Sequence, residues 1–294
     1  MLQTNLTNGA HILSDDDALF YADQGQGRPI VLLHGWGADH SSWRPIIDVL
    51  ADNHRVIAVD LPGHGRSPAP VASYTLADVS NRLRRLIETL DLPEPPVVMG
   101  HSFGGMVASR FAVDHRDALA ALVVVDADLN TPGAFRQLLW ASGWATAWTM
   151  RLSARFLGES RTLALVPPLL GVAAYSGAWR RARRAGLAEI GRRFVQTNTV
   201  EGLIGSLLAY SGRPDLSVEL PAVAPRALLL RGSKDLIVSQ GRIEALAAAI
   251  PGATLRILPG AGHMSVIEQP KIVARHVHAF LRELDAGQQE PSLG

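Results

Sequence analysis

Gly100-His101-Ser102-Phe103-Gly104 lies between an apolar run, Pro96 to Met99, and a helix-like stretch from Met106 to His115. That order predicts a strand, an abrupt turn and a helix, with Ser102 at the corner. A turn so tight holds the serine backbone in a strained conformation, and glycines two positions before and after it let strand and helix approach closely. The strain exposes the hydroxyl and leaves the Phe103 amide N–H free at the helix start, where it can bind an oxyanion. The plainer alternative is a turn whose serine only caps the helix from Phe103. The pentapeptide alone does not separate the two, so its neighbours carry the reading.

Upstream, Pro29 to Leu33 reads as a buried strand running into His34-Gly35-Trp36-Gly37, followed by a helix from about Ser42 to Leu50. Two glycines there permit an exposed amide, and the N–H of Trp36 is the candidate second oxyanion donor; the alternative is an ordinary glycine turn. Arg55 to Asp60 is a further strand, ending in Leu61-Pro62-Gly63-His64-Gly65-Arg66-Ser67. Asp60 is expected to fix that loop by hydrogen bonds and His64 to be a turn residue. Downstream, the strand Arg226 to Arg231 leads into Gly232-Ser233-Lys234-Asp235, and the strand Leu255 to Leu258 into Pro259-Gly260-Ala261-Gly262-His263. A serine hydroxyl is a poor nucleophile unless a base takes its proton, and histidine does so best when a buried carboxylate fixes its tautomer. Ser102, Asp235 and His263, in that order, fill those roles. Val123-Val124-Val125-Asp126-Ala127-Asp128 also ends a strand with carboxylates, so Asp126 is an alternative acid.

These residues resemble the α/β-hydrolase fold family, and more closely its lid-bearing esterase-like members that carry His-Gly-x-Gly before the first core helix. The resemblance covers about 20–128 and 221–284. It implies an α/β fold, a mostly parallel sheet flanked by helices, with no cofactor or metal and a covalent acyl-enzyme. Serine at the corner argues against the family's dehalogenases and epoxide hydrolases, which use an aspartate there. His34-Gly35-Trp36-Gly37 departs from the HGGPG loop usual in its proline iminopeptidases. Some members draw the acid from the earlier strand; the commoner arrangement favours Asp235 and leaves Asp126 to tie down the base of the lid.

At 294 residues and 47% hydrophobic, the chain can bury one large core and carry an insertion. It has no cysteine, which excludes disulfides, thiolate chemistry and Cys-based zinc sites while leaving the compartment open. Asp15, Asp16 and Asp17 stand where a basic-then-apolar leader would run, so the expected localisation is cytoplasmic. No uncharged apolar stretch reaches spanning length, so no membrane span is expected. The polar tail, Asp285 to Gly294, is expected to be disordered. Strands alternate with helical patterns up to Asp128, and the strand signal returns only at Arg226. The division expected is therefore a core of 1–128 and 221–294 with a helical lid of 129–220.

Between Leu129 and Leu220 stand eleven arginines, no lysine and five acids, so the insertion carries +6 and the remainder −5. Arg180, Arg181, Arg183, Arg184, Arg192 and Arg193 cluster on one segment and would suit an acidic substrate or carrier, unless they form a solvated helix face. Nucleic acid is not expected, because no recognised module accompanies them. Trp140, Trp144 and Trp148 recur every four residues and should point inward, as packing and as substrate-lining groups. The chemistry expected is hydrolysis of a small or medium apolar carboxylic ester or lactone. The alternatives are a thioesterase or carrier-linked methyl esterase, a C–C bond hydrolase, a cofactor-free perhydrolase, or a non-catalytic ligand receptor on the same scaffold.

Overall fold

The structure, a computed structural model, describes residues 7–11, 18–69, 74–129, 133–167, 174–177, 180, 184–212, 214–223 and 226–289. Its strands are β1 (Thr7–His11), β2 (Leu19–Gln24), β3 (Arg28–Leu33), β4 (His54–Val59), β5 (Val97–His101), β6 (Ala121–Val125), β7 (Ala227–Gly232) and β8 (Thr254–Leu258). They form one sheet in the order β1-β2-β4-β3-β5-β6-β7-β8. β2 runs antiparallel to both β1 and β4, and every other neighbouring pair is parallel. Strands in a parallel sheet covered on both faces read as unbroken apolar runs rather than alternating ones. Ile30 to Leu33, Val97 to Met99 and Ala121 to Val125 are such runs, and all are fully buried.

Alternate residues of each strand enter opposite cores. Val31, Leu33, Ile57, Val98 and Leu122 pack against helices α2 (Leu76–Thr89) and α3 (Phe103–Asp114). Ile30, Leu32, Val56, Val97 and Val123 face α1 (Arg44–Leu50) on the other side, together with a long C-terminal helix. α2 begins with a capping box between Thr75 and Asp78 and turns Leu76, Val79, Leu83 and Leu86 inward. The helix expected from Ser42 divides into a 3-10 turn, His40–Trp43, and α1, with a proline in the first turn of the α-helix.

Between β6 and β7 the described residues include five helices, α4 (Gly133–Leu157), α5 (Glu159–Ala164), α6 (Arg184–Thr197), α7 (Val200–Ser211) and α8 (Leu216–Val223). Met150, Leu163, Phe194, Leu203 and Ile204 give these helices a small core of their own. Trp36 packs against both this cluster and the sheet core. After β7 come α9 (Gln240–Ala249), a single turn α10 (Ser265–Glu268) and α11 (Pro270–Gln289). α11 corrects the expectation of a disordered tail from Asp285: Val273, Val277, Phe280 and Leu284 repeat at helical spacing, and the helix they anchor against the sheet carries on to Gln289. The rest of that tail, 290–294, lies outside the described residues.

The corner after β5 is the tightest place in the sheet. Ser102 has φ 51° and ψ −116°, a backbone region that ordinary side chains rarely occupy. A methyl group built on Gly100 would collide with the Gly104 carbonyl, and one on Gly104 with the carbonyls of Leu33 and His34. Backbone atoms cannot swing aside, so Gly104→Ala should lower the urea midpoint by the equivalent of about 3 kcal/mol or prevent folding. Gly241 lies in α9, where an added Cβ would meet nothing within 4 Å, and Gly241→Ala should instead be neutral or stabilise by up to about 1 kcal/mol.

Candidate active site

Ser102 follows the last residue of β5, and its N–H donates to the Val125 carbonyl of the adjacent strand at 2.9 Å. Asp235 lies in the turn after β7 and His263 in the loop after β8. The structure brings all three together. His263 Nε2 is 2.8 Å from Ser102 Oγ, and His263 Nδ1 is 2.9 Å from Asp235 Oδ2. An ionised carboxylate only accepts, so Nδ1 carries the proton and Nε2 is left to accept the serine hydroxyl. Burial opposes ionisation of Asp235, but the hydrogen bond and charge of His263 outweigh it, aided by the N–H groups of Val238 and Ile237. Its carboxyl is held below the usual range.

Asp126 is placed differently. It is fully buried, at φ 48°, and accepts from the N–H of Gly232 at 2.7 Å and from the N–H and hydroxyl of Ser265. It therefore fastens the end of β7 and the segment after His263 to the end of β6, rather than the base of the helical insertion as the sequence suggested. Burial pushes its carboxyl up to about 7, against the pull of His263.

The loops that carry acid and base are held through their backbones. The buried Arg231 guanidinium donates to the carbonyls of Gly232, Asp235 and Val238 at 2.9–3.0 Å. His101 Nε2–H donates to the carbonyl of His263 at 2.8 Å, and burial pushes that imidazole down to about 3, so it stays neutral. Glu268 accepts from the N–H groups of Gly262 and Ser176 at 3.1 and 3.0 Å. Sequence reasoning passed over these residues. The one local signal was an arginine in the apolar run Ala-Leu-Leu-Leu-Arg-Gly, 227–232, where a charge must find partners.

The N–H of Phe103 opens α3, and the N–H of Trp36 lies in the loop after β3; among the described residues neither has a hydrogen-bond partner. Both residues line one cavity with Ser102 and His263. The neutral, buried His34 spans that loop: its Nδ1–H donates to the Gly35 carbonyl, and its Nε2 accepts the Leu61 N–H. A Cβ on Gly35 would press on the His101 ring and on Ser102. The Trp36 indole N–H donates to the Leu203 carbonyl at 3.1 Å, tying this loop to α7.

The cavity measures about 720 Å³. Ala145, Thr149, Met150 and Ser153 of α4 line it, with Leu207, Tyr210 and Met264, and among the described residues no arginine, lysine or carboxylate does. The expected inward tryptophan stripe is therefore corrected. Trp144 and Trp148 are 46% and 66% exposed and turn away from the cavity, because the smaller residues one position along the helix occupy the inner face. The Trp140 side chain lies outside the described residues, as do Arg181, Arg183 and the Arg184 side chain. Arg193 pairs with Asp39 at 3.2 Å and Arg192 with Glu189. Asp60 accepts from His40 and from the Arg66 N–H, and His64 Nδ1–H donates to Pro62. Asp39, His40 and Asp60 are close enough to share a metal ion, yet these bonds and the Arg193 pair already engage their ligand atoms.

Residues 28–270 match the model of the alpha/beta hydrolase fold. The chain belongs to the α/β-hydrolase fold family. It is 31% identical over 255 residues to the dihydrolipoyllysine-residue acetyltransferase component of the acetoin cleaving system of Cupriavidus necator, covering 85% of this chain and 62% of that one. The chain thus spans less than two thirds of that relative. Among solved structures, a thermophilic esterase from Thermogutta terrifontis superposes with a TM-score of 0.79 at 28% identity, covering 91% of this chain and 94% of the other. The enol-lactonase from Burkholderia xenovorans LB400 gives 0.77 at 26% identity, over 90% and 96%. Among the described residues no helix is long and apolar enough to cross a membrane.

Two substitutions separate the buried carboxyls. Asp235→Asn should lower kcat on a p-nitrophenyl ester by about 10⁴-fold with little change in melting temperature, since it leaves His263 in the wrong tautomer. Asp126→Asn acts on stability. From the ordinary carboxylate range up to about 7 the folded protein keeps a proton on Asp126 that the unfolded chain has released, so this group's contribution falls as pH rises through that window. Buried histidines such as His101 tilt the whole curve the other way over the same window, so the readout is the difference: the unfolding free energy of the wild type minus that of Asp126→Asn should fall as pH rises from about 4.5 to 7.5.

Proposed function

We propose that the chain hydrolyses a neutral carboxylic ester or lactone with an apolar acyl or ring part, through an acyl-enzyme on Ser102. The observation that carries this is the continuous relay Asp235–His263–Ser102, at 2.9 and 2.8 Å, opening into a cavity whose described lining carries no charged side chain. Segment 129–220 acts as a lid over the core formed by 1–128 and 221–294.

In the reaction, Ser102 Oγ attacks the carbonyl carbon while His263 Nε2 takes its proton, and Asp235 stabilises the imidazolium. The carbonyl oxygen becomes an oxyanion received by the N–H groups of Trp36 and Phe103, each worth about 3 kcal/mol to the transition state. Collapse breaks the C–O bond, and His263 returns the proton to the leaving alkoxide. Water, deprotonated by the same imidazole, then attacks the acyl carbon and frees the acid and Ser102. The cavity has the size of a site for a small to medium ester, and its apolar walls exclude water from the acyl part.

Relatives that are an esterase and an enol-lactonase support the choice of bond. The reading through an acidic carrier gains no support from Arg192 and Arg193, which are already paired, and among the described residues no cation lines the cavity. A fluorophosphonate should add a single label at Ser102, and Ser102→Ala and His263→Ala should each lower turnover of p-nitrophenyl esters by at least about 10³-fold with the circular dichroism spectrum unchanged. Absence of the label would overturn the assignment in favour of a ligand receptor.

A further inference from the structure

Large apolar side chains exposed to solvent are not scattered over this protein. Of the nine among the described residues, eight lie on α4, at the end of α5 or at positions 236–237, so one region of the surface holds nearly all of them. Trp144, Trp148, Leu152 and Phe156 recur every four residues and form a single stripe along the outer face of α4. Ala145, Thr149 and Ser153, each one position further on, line the cavity. The stripe thus borders the cavity mouth. Leu165 and Ile237 belong to both surfaces: they line the cavity and are 55% and 46% exposed. A continuous apolar surface of this kind marks an interaction site rather than ordinary surface variation.

The charge beside the stripe chooses the partner. Arg151, Arg155 and Arg161 stand on the same two helices; Arg151 pairs with Glu201, whereas no acid among the described residues pairs with Arg155 or Arg161. The whole segment 129–220 carries +6 against −5 for the rest. A second copy docking through this face about a two-fold axis would set one cationic segment against another. An anionic phospholipid surface is complementary instead: tryptophan and leucine enter the headgroup and acyl boundary while arginine guanidinium groups meet phosphates.

We propose that the outer face of α4, with the end of α5 and the 236–237 turn, docks on an anionic phospholipid bilayer. The cavity mouth then opens onto the membrane surface, and an apolar ester dissolved there reaches Ser102 without crossing water, a consequence that rests on the ester-hydrolase reading above. The docking itself does not.

Sedimentation with vesicles tests it, using the full chain and comparing pure phosphatidylcholine with an equal mixture of phosphatidylcholine and phosphatidylglycerol. The protein should bind the mixed vesicles at least about tenfold more tightly, with the difference closing at high salt. Leu152→Ser/Phe156→Ser should weaken binding to mixed vesicles by about tenfold or more, and Arg155→Gln/Arg161→Gln should remove the preference for them. Both double variants change exposed side chains outside the cavity, so turnover of a soluble short-chain ester should stay within about twofold of wild type. Ser102→Ala should bind vesicles as the wild type does, which separates docking from chemistry: loss of all ester turnover with vesicle binding intact would overturn only the ester reading. The docking proposal falls if the wild type ignores the mixed vesicles or if Leu152→Ser/Phe156→Ser binds them unchanged. It falls equally if sedimentation velocity without lipid reveals a dimer that the same variant converts to monomer, the result expected of a contact between copies.

Discussion

Ser102 sits in a left-handed backbone at a corner where no side chain fits on either flank. The carbonyls of Gly104, Leu33 and His34 crowd the places where Cβ atoms would stand, so glycine at 100 and 104 lets β5 and α3 close on the end of β3. That closeness sets the distance between two loops. One leads into Phe103 and the other carries Trp36, and both residues line the cavity with Ser102 because the strands beneath them are neighbours in the sheet. Strain at one residue is thus maintained by a fully buried parallel sheet, whose packing resists relaxation of the corner.

Asp235 and His263 rest on short loops after β7 and β8, and loops hold geometry only when their backbones are fastened. Here the fastening is polar and buried. Arg231 grips three carbonyls around Asp235, His101 holds the carbonyl of His263, and Asp126 clamps Gly232 and Ser265. Asp126 and Asp235 end adjacent parallel strands yet are driven in opposite directions, up for the fully buried clamp and down for the partner of His263. The difference lies in surroundings rather than residue type: Asp126 is fully buried with His101 Nε2 4.0 Å away, whereas Asp235 is hydrogen-bonded to His263 Nδ1.

The helices between β6 and β7 serve two surfaces at once. Their inner side supplies small and apolar walls to the cavity, and their own core is tied to the loop after β3 through Trp36, whose indole bonds to α7 and packs near Phe194. Their outer side leaves a tryptophan, leucine and phenylalanine stripe facing solvent. A helix with three apolar or small faces has no simple inside, and α4 is such a helix.

The strands β3 to β8 were legible in the sequence to within a residue or two, because those buried on both faces read as apolar runs closed by turn or polar residues; the edge strand β8, only partly buried, is marked mainly by the glycine turn after it. The corner at Ser102 and the order of Ser102, Asp235 and His263 were legible for a related reason: tight turns demand glycine, and reactive groups sit where such turns end strands. The antiparallel strands β1 and β2, the backbone clamps of Arg231 and His101 and the bonds of Asp126 were not, since each depends on which carbonyl or amide lies across a gap of many residues. The tryptophan period correctly signalled a single helical face on α4, but spacing carries no direction. Only tertiary packing decided that the face turns outward, because the inner side of the helix had to be narrow enough to leave room for a substrate.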